Sequence, residues 1–324
     1  MPDFKPYPII AGPTASGKTA LSVQFAKQIG GEVVSADSMQ IYDGVSVGTA
    51  RPTLDEMEGV RHHLLGFLPL QAKFSVAQYL KEANTVFADI YAQGKTPVLC
   101  GGTGLYIQSF MENVQLFEDE PDLALRQQYV MLAEQYGTQY LLAKLAAVDP
   151  ESAARLHPND RNRIIRALEV YDTTGRTITE QTKLSHSTPS PYTPFLMVMD
   201  FRDRARLYDR INRRVDAMLE NGLLDEARRV LESEPDATVT QAIGYKEFSA
   251  YFDGAISLDE AADRLRQQTR RYAKRQLSWF RRMNAACILW VDDFATQTEL
   301  LDYAAEQYNR FCRKGGNVHE IQKE

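Results

Sequence analysis

The sequence between residues 7 and 29 decides the fold class: it reads YPIIAGPTASGKTALSVQFAKQI. It opens with a short apolar run that predicts a buried strand. It closes with a segment that places Leu21, Phe25 and Ala26 on one face of a predicted helix. A glycine-rich turn joins the two, which indicates the beginning of an α/β protein.

Residues 12–19 fit the phosphate-binding pattern G-x-x-x-x-G-K-[ST], between the predicted strand and the predicted helix. Glycines let the backbone curl so that successive N–H groups converge on phosphate oxygens, and the helix N-terminus adds partial positive charge. Lys18 supplies a point charge for the distal phosphate, and Thr19 supplies a hydroxyl for Mg²⁺. The residues predicted to bind a diphosphate or polyphosphate are Gly12, Pro13, Thr14, Ala15, Ser16, Gly17, Lys18 and Thr19.

Strand and helix patterns continue to alternate along the chain. Further strands are predicted at residues 32–36, 96–100, 195–200 and 287–291. Helices are predicted at residues 74–93, 206–221, 223–232, 240–251, 258–283 and 295–311. This alternation predicts a P-loop NTPase-like parallel sheet with right-handed crossovers.

A change of composition near Glu118 indicates a second structural unit. From residue 121 to about residue 181 the pattern is helical only, and a Ser/Thr/Pro-rich connector follows. We therefore expect residues 1–117 and 190–324 to form the α/β core with C-terminal helices. Residues 118–189 are expected to form an all-helical insertion.

Bulk properties exclude several classes of protein. The chain has 324 residues, of which 44% are hydrophobic and 25% charged, as in an ordinary soluble globular protein. No apolar run approaches the roughly 20 residues that a membrane helix needs. Cys100, Cys287 and Cys312 are too few and too widely spaced for a disulfide framework, so a reduced, cytoplasmic location is expected. A monomer is the default expectation.

The charge distribution leaves room for a polyanionic partner. The net charge is −6, but residues 264–282 contain eight Lys or Arg and no Asp or Glu. An acidic protein with one concentrated basic segment can bind nucleic acid locally. A solvated helix face explains the same segment equally simply.

The acidic residue that usually closes a strand in P-loop enzymes is missing from the best candidate strand, which runs into Gly101-Gly102-Thr103-Gly104. Asp37, after the strand at residues 32–36, offers a carboxylate at the edge where such sheets bind ligands. Asp37 fits a general base, but it also fits a helix N-cap or the magnesium ligand of an ordinary kinase. The residues alone leave these readings open.

Together, the motifs resemble the bacterial tRNA dimethylallyltransferases, also called tRNA isopentenyltransferases. Besides residues 12–19, the motifs are DSMQIY at 37–42, GTARP at 48–52, HHL at 62–64, GGTGLY at 101–106, HPND at 157–160, GYKE at 244–247 and KRQLSWFR at 274–281. The resemblance extends from about residue 10 to residue 290, so it is far more specific than a P-loop by itself.

The resemblance implies transfer of dimethylallyl from its diphosphate to N6 of the adenosine 3′ of the anticodon. It implies a P-loop similar in shape to an ATP site but holding the isoprenoid diphosphate. The catalytic residues implied are Asp37 as the general base, Lys18, Thr19 with Mg²⁺, Arg214, and Thr103 near the substrates. Arg210 and Arg213 lie on the same predicted helix, so the sequence does not tell which of the three arginines contacts diphosphate.

The resemblance also implies contacts with the tRNA anticodon stem-loop, in which the reacting base must be flipped out to be reached. The residues so implied are Asp37, Ser38, Met39, Gln40, Thr103, Asn162, Arg163, Ile164, Ile165, Arg166, Gln241, Gly244, Tyr245, Lys246, Lys274, Arg275, Gln276, Trp279 and Arg281. Tyr245 and Trp279 are expected either to stack on bases or to pack in the core.

Three other functions compete. A P-loop small-molecule kinase predicts an acidic strand end, which the sequence lacks. An adenylate isopentenyltransferase predicts neither the insertion nor the basic segment, because free AMP needs neither. An RNA-binding module with a vestigial P-loop gives no reason for Lys18, Thr19 and Asp37 to stay together. His62 and His63 lack a third ligand at metal spacing, so we expect them to be structural.

Overall fold

The structure is a computed structural model that describes residues 4–116, 122–185 and 188–316. The chain divides into two compact units. The first takes the chain up to residue 111 and again from residue 191, and the second takes residues 112–190. The sequence placed these boundaries at residues 118 and 189.

Six parallel strands form the sheet of the first unit. They are β1 Pro6–Ala11, β2 Gly31–Ser35, β3 His62–His63, β4 Thr96–Gly101, β5 Thr193–Asp200 and β6 Cys287–Trp290. Their order is β3-β2-β4-β1-β5-β6, and every neighbouring pair runs parallel. The predicted α/β fold with a parallel P-loop sheet is confirmed.

The helices, in chain order, are α1 Lys18–Ile29, α2 Leu54–Met57, α3 Val76–Ala92, α4 Gly104–Met111, α5 Leu123–Tyr136, α6 Thr138–Val148, α7 Pro150–Arg155, α8 Arg161–Thr174, α9 Ile178–Ser185, α10 Arg204–Glu220, α11 Leu223–Glu232, α12 Ala237–Thr240, α13 Ser249–Phe252, α14 Leu258–Phe280 and α15 Gln297–Arg313. Short 3₁₀ turns lie at Lys246–Phe248 and Val291–Asp293. Helices α5–α9 belong to the second unit. In the described ranges, no helix is both long and apolar enough to cross a membrane.

The first unit buries aromatic residues against the sheet. The ring of Phe25 on α1 lies 5.7 Å from that of Tyr308 on α15, which in turn lies 5.8 Å from Phe195 on β5. A second cluster brings Tyr7 of β1 to within 5.0 Å of Phe87 on α3. Burial of each such side chain stabilises the fold by roughly 1.5–3 kcal/mol. The P-loop therefore rests on a rigid sheet.

Caps set the helix boundaries that periodicity predicted only roughly. Ser75 and Ser257 each form a capping box, so α3 begins at Val76, two residues later than predicted, and α14 begins at Leu258, as predicted. The continuous helix predicted at residues 240–251 is wrong. Gly244 has φ +115°, outside the helical region, so the chain forms α12, a 3₁₀ turn and α13 instead. The two-residue strand β3 was too short for periodicity to reveal.

The second unit has its own apolar core, formed by α5, α6 and α8. Leu141, Leu145, Ile164 and Ile165 are fully buried in it. Asp149 caps α7 through the Ser152 N–H (3.0 Å) and also accepts from the Thr179 hydroxyl (2.7 Å), which ties α9 to the same core.

Candidate active site

The P-loop leaves the carboxyl end of β1 and enters α1. Gly12 has φ +153°, and a Cβ there would lie 2.8 Å from the Met199 carbonyl oxygen, so the turn requires glycine. Gly17 precedes α1 in the left-handed conformation. The first N–H groups of a helix have no partner within that helix, so those at the start of α1 are available to an anion.

Side chains from distant helices hold the P-loop backbone. Arg210 on α10 donates from Nε to the Ala15 carbonyl oxygen at 2.8 Å, where Ala15 has φ +62°. Gln276 on α14 accepts from the Thr14 N–H at 2.9 Å. Lys18 donates from Nζ to the Pro13 carbonyl oxygen at 2.7 Å. These contacts fix the loop in a strained shape that an alanine in the left-handed region would not favour alone.

The P-loop opens into a cavity of about 320 Å³, here called the inner cavity. Its polar wall includes Thr14, Lys18, Thr19, Asp37 and Arg214. Its apolar wall includes Ile211, Val215, Met218, Ala242 and Leu265. The cavity thus combines a cationic end, one carboxylate and a hydrophobic surface.

A larger cavity of about 870 Å³, the outer cavity, shares Lys18, Thr19 and Arg214 with the inner one. Of the predicted diphosphate residues, Ala15 and Gly17 line only the outer cavity. Gly12, Pro13 and Ser16 are buried and line neither cavity. They therefore contribute to the conformation of the P-loop and do not face either cavity.

Asp37 lies at the end of β2, beside the end of β4. Its Oδ1 accepts from the Met39 N–H at 2.9 Å and from the Gln40 N–H at 3.3 Å. The Thr103 hydroxyl oxygen accepts from the Ser38 N–H at 3.0 Å, and the Thr103 N–H donates to the Ala36 carbonyl oxygen at 3.1 Å. The two N–H groups hold the carboxylate in a fixed orientation, as in a capping residue. Asp37 also lines the cavity, so its carboxylate can reach a substrate there, as a general base must.

Among the described residues, neither Lys18 nor Arg214 at the cationic end of the cavity forms an ion pair with a carboxylate. Burial lowers the pKa of Lys18 to about 8, with nearby Arg214 acting in the same direction and Cys100 and Asp37 opposing it. Burial also lowers the pKa of Arg214, and Asp37 and Glu56 oppose this. The Nε of Arg214 is buried and lacks a hydrogen-bond partner among the described residues. Because buried cations without anions are costly, the arrangement favours a bound polyanion.

The three arginines of α10 have different surroundings. Arg210 donates to the P-loop carbonyl of Ala15. Arg213 is exposed and forms an ion pair with Asp209. Only Arg214 of the three lines the inner cavity together with Lys18 and Asp37. Geometry therefore favours Arg214 as the diphosphate contact.

Several residues with an expected tRNA role line the inner cavity: Ser38, Met39, Gln40, Gln241, Gly244, Lys246, Arg275 and Gln276. The Gln40 amide donates to the carbonyl oxygens of Thr49 and Ala50, both at 3.2 Å. The Lys246 ammonium donates to the Gln241 carbonyl oxygen at 2.9 Å.

The stacking interpretation of Tyr245 is wrong. Its ring is fully buried, and its hydroxyl donates to a carboxylate oxygen of Glu226 at 3.0 Å. A Cβ on Gly48 would lie 2.8 Å from that hydroxyl, so the ring is packed tightly against the 46–50 loop. Tyr245 thus packs against the loop whose residues 48–50 line the inner cavity.

The predicted tRNA contacts at residues 274–281 of α14 lie partly on its exposed face and partly on its buried face. Lys274 and Arg275 are exposed, whereas Gln276 is 6% exposed and faces the P-loop. Trp279 packs on Gly104, where a Cβ would meet its ring at 2.4 Å, and its Nε1 donates to Gln108 Oε1 at 3.1 Å. These contacts favour the packing interpretation of Trp279.

Arg281 and two residues of α8 also differ from their expected roles. Arg281 donates to the buried carboxylate of Asp200 at 3.1 Å, which Arg204 contacts as well. Ile164 and Ile165 are fully buried in the core of the second unit, so an RNA contact through their side chains is wrong. Their neighbours Asn162 and Arg163 are exposed, and Arg166 is half-buried.

Glu226 on α11 is a residue that sequence reasoning missed. It is 2% exposed, and its carboxylate accepts from the N–H groups of Ser46, Val47 and Gly48 at 2.7–2.9 Å. These bonds fix the loop that brings residues 48–50 to the inner cavity. An acidic residue on an amphipathic helix gives no sequence signal of such a partner.

No group of three or more His, Cys, Asp or Glu side chains suited to a metal occurs in the described residues. His63 contacts the buried carboxylate of Glu32 at 2.7 Å, and His62 Nδ1 contacts the Val60 carbonyl oxygen at 2.9 Å. Both contacts agree with the structural role expected for the histidine pair.

The IPP transferase family model matches residues 40–283 of the chain. The chain belongs to this family. A tRNA dimethylallyltransferase of Thermoanaerobacter sp. (strain X514) is 46% identical over 295 residues, which cover 90% of this chain and 94% of the relative. The Bacillus subtilis (strain 168) tRNA dimethylallyltransferase is 46% identical over 289 residues, covering 89% and 91%.

Solved structures of family members are similar over most of this chain. The full-length tRNA isopentenylpyrophosphate transferase of Bacillus halodurans has a TM-score of 0.70 and 38% identity, covering 99% of this chain and 100% of its own. A eukaryotic dimethylallyltransferase acting on tRNA has a TM-score of 0.73 and 30% identity, covering 85% of this chain and 70% of its own. The expected membership in the tRNA isopentenyltransferase family is confirmed.

Proposed function

We propose that this family member transfers the dimethylallyl group of dimethylallyl diphosphate to N6 of the adenosine 3′ of the anticodon in tRNA. It is a tRNA dimethylallyltransferase, as its relatives are named. One observation supports the detailed reaction most directly. The carboxylate of Asp37, the cations Lys18 and Arg214, and an apolar wall line a single cavity.

The cationic end suits the diphosphate. Lys18, Arg214 and the N-terminus of α1 provide positive charge, and the apolar wall beside them suits a branched five-carbon group. The Thr19 hydroxyl lines both cavities next to Lys18. Hard oxygen donors of this kind fit Mg²⁺, which Thr19 would hold together with diphosphate oxygens. When bound, the ion would neutralise charge on the departing diphosphate.

The reaction is a substitution at C1 of the dimethylallyl group. The lone pair of N6 forms the new C–N bond, while the C–O bond breaks and diphosphate leaves with its electron pair. Asp37 accepts the proton that N6 loses, which contributes on the order of 10²–10⁴-fold to the rate. Lys18 and Arg214 stabilise the negative charge that develops on the leaving oxygens.

The adenosine must leave the anticodon loop to reach Asp37. Ser38, Gln40, Gln241 and Lys246 line the inner cavity around that carboxylate and suit contacts with the flipped nucleotide. The exposed Lys274 and Arg275 suit the phosphates of the stem-loop. The helical unit, through its exposed Asn162 and Arg163, is proposed as a further contact with tRNA. A monomeric, cytoplasmic enzyme remains the prediction.

A transfer assay tests the proposal. Radiolabelled dimethylallyl diphosphate and Mg²⁺ are incubated with unmodified tRNA, with AMP and with ATP as separate acceptors. We expect label in tRNA alone, at N6 of the adenosine that follows the anticodon after nuclease digestion. Label in AMP would assign the protein to the free-nucleotide branch. ATP turnover without label in any acceptor would indicate kinase chemistry and overturn the proposal.

A further inference from the structure

The side-chain amide of Gln276 connects the two loops that form the polar wall of the inner cavity. Its Oε1 accepts from the Thr14 N–H at 2.9 Å, and its Nε2 donates to the Gly102 carbonyl oxygen at 2.9 Å. Thr14 belongs to the P-loop, and Gly102 follows β4. Gln276 is only 6% exposed, so the bond to Gly102 is buried and the bond from Thr14 is partly buried, and both are stronger than in water.

The second loop leads directly to the proposed base. Gly102 precedes Thr103, whose hydroxyl accepts from the Ser38 N–H next to Asp37. A Cβ on Gly102 would lie 2.3 Å from Gln276 Nε2, so the amide approaches closely only because this residue is glycine. One amide therefore sets the spacing between the diphosphate loop and the turn that carries Asp37.

The chemistry of the contact requires an amide. It needs an acceptor for an N–H and a donor for a C=O at the end of one side chain, which Gln provides and neither Glu nor Lys does. The neighbours of Gln276 on α14 behave differently, because Lys274 and Arg275 are exposed. The helix thus exposes Lys274 and brings the exposed Arg275 to the inner cavity, while the buried amide of Gln276 contacts the P-loop.

We propose that Gln276 is a positioning residue of the diphosphate site, acting through the P-loop, and that it does not contact tRNA. The inference rests on the proposed function and replaces the expected RNA contact at this residue. Loss of the amide removes the side-chain partner of the half-buried Thr14 N–H and of the buried Gly102 carbonyl. The P-loop then relaxes, and the enzyme binds diphosphate more weakly while its exposed basic face is unchanged.

Gln276→Met tests the proposal, because methionine has similar length and no amide. Gln267→Met is the matched control, since Gln267 is exposed on the same helix. For both variants and the wild type, calorimetry gives Kd for inorganic pyrophosphate with Mg²⁺, filter binding gives Kd for unmodified tRNA, and the transfer assay gives KM for dimethylallyl diphosphate.

We expect Gln276→Met to raise Kd for pyrophosphate and KM for dimethylallyl diphosphate about tenfold or more, and to leave Kd for tRNA within about twofold. Gln267→Met should match the wild type in all three. Gly102→Ala, which pushes the amide away from the other side, should reproduce the Gln276→Met pattern.

A weaker tRNA affinity with unchanged pyrophosphate affinity would assign Gln276 to the RNA and overturn the inference, as would equal loss of both. Should Gln276→Met unfold, Gln276→Glu keeps the acceptor for Thr14 and loses the donor to Gly102, and it is judged by the same two outcomes. A wild-type chain that transfers no label to tRNA would instead contradict the proposed function itself.

Discussion

The P-loop was assigned to the site as an unbroken stretch, and the α14 segment at residues 274–281 supplied five of the expected tRNA contacts, yet the structure treats the two differently. In residues 12–19 the backbone forms the site, so the whole stretch shapes one turn and even its buried members serve it. In residues 274–281 the side chains would have to form the site, and helical periodicity directs them to opposite faces. Arg275 lines the cavity, Gln276 holds the P-loop and Arg281 pairs with Asp200.

This difference shows when a linear motif can be read as a site. When a motif binds its ligand through consecutive backbone N–H groups, all its residues lie at the same site, because neighbouring peptide groups are also close in space. A motif on a helix maps only every third or fourth residue onto one surface. The predictions below first test Asp37, Arg214 and Lys18 of the inner cavity, and last the α14 side chains Arg275 and Arg281.

Loss of the carboxylate of Asp37 should have the largest effect. In Asp37→Asn the amide oxygen can still accept from the Met39 and Gln40 N–H groups, so the turn should persist. Without a base for the N6 proton, we expect kcat to fall about 10²–10⁴-fold. Single-turnover transfer to unmodified tRNA measures this, and filter binding should show tRNA affinity within about twofold of wild type. Unchanged turnover would exclude Asp37 as the base and leave it only the cap.

The arginines of α10 give the next largest contrast. Arg214 lines the inner cavity, whereas Arg213 is exposed and paired with Asp209. We expect Arg214→Met to lower kcat/KM for dimethylallyl diphosphate about 10²–10³-fold, because a buried donor to the leaving group is lost. Arg213→Met is the control and should stay within about twofold. Equal effects of the two substitutions would contradict the placement of diphosphate beside Arg214.

The ammonium of Lys18 predicts a pH dependence. Burial lowers the pKa of Lys18 to about 8, so the free enzyme loses this charge as the pH rises through that value. We expect kcat/KM for dimethylallyl diphosphate to be level below pH 8 and to fall by up to about tenfold per pH unit above it. Lys18→Arg keeps its charge throughout and should give a flat profile at a lower level. If kcat/KM of the wild type stays constant well above pH 8, the charge of Lys18 does not contribute to binding of the diphosphate.

How far the sequence predicted the site follows from the range of each contact. Five of the six described strands, the P-loop and the placement of Asp37 at a strand end rest on local patterns, and they agree with the structure. Glu226 and Gln276 depend on partners 180 and 262 residues away along the chain. No spacing rule in one sequence connects such pairs, so their roles become visible only when the fold brings them together.

Residues 164 and 165 and residue 245 show the second limit. Their motifs were assigned as continuous stretches, but Ile164, Ile165 and Tyr245 are fully buried. Apolar residues within a basic helix belong to its core face, and the helical period gave that signal for the isoleucines. Tyr245 carried no comparable signal, because Gly244 interrupts the helix that was predicted across it.

The smallest effect, and the sharpest test of the division of α14, is expected from Arg275 and Arg281. Both are exposed and both were assigned to tRNA, but Arg281 already pairs with the buried Asp200, while Arg275 lines the inner cavity. We expect Arg275→Ala to weaken tRNA binding about five- to tenfold and to reduce the slope of log Kd against log salt by about one, since one phosphate contact is lost. Arg281→Ala should leave that slope unchanged and lower the unfolding midpoint instead, because the buried carboxylate of Asp200 loses one of its two arginine partners and keeps Arg204 and the Phe201 N–H. The opposite result would be an unchanged slope for Arg275→Ala and a reduced slope for Arg281→Ala. It would mean that the face of α14 that carries Arg281, and not the face that carries Arg275, contacts the RNA.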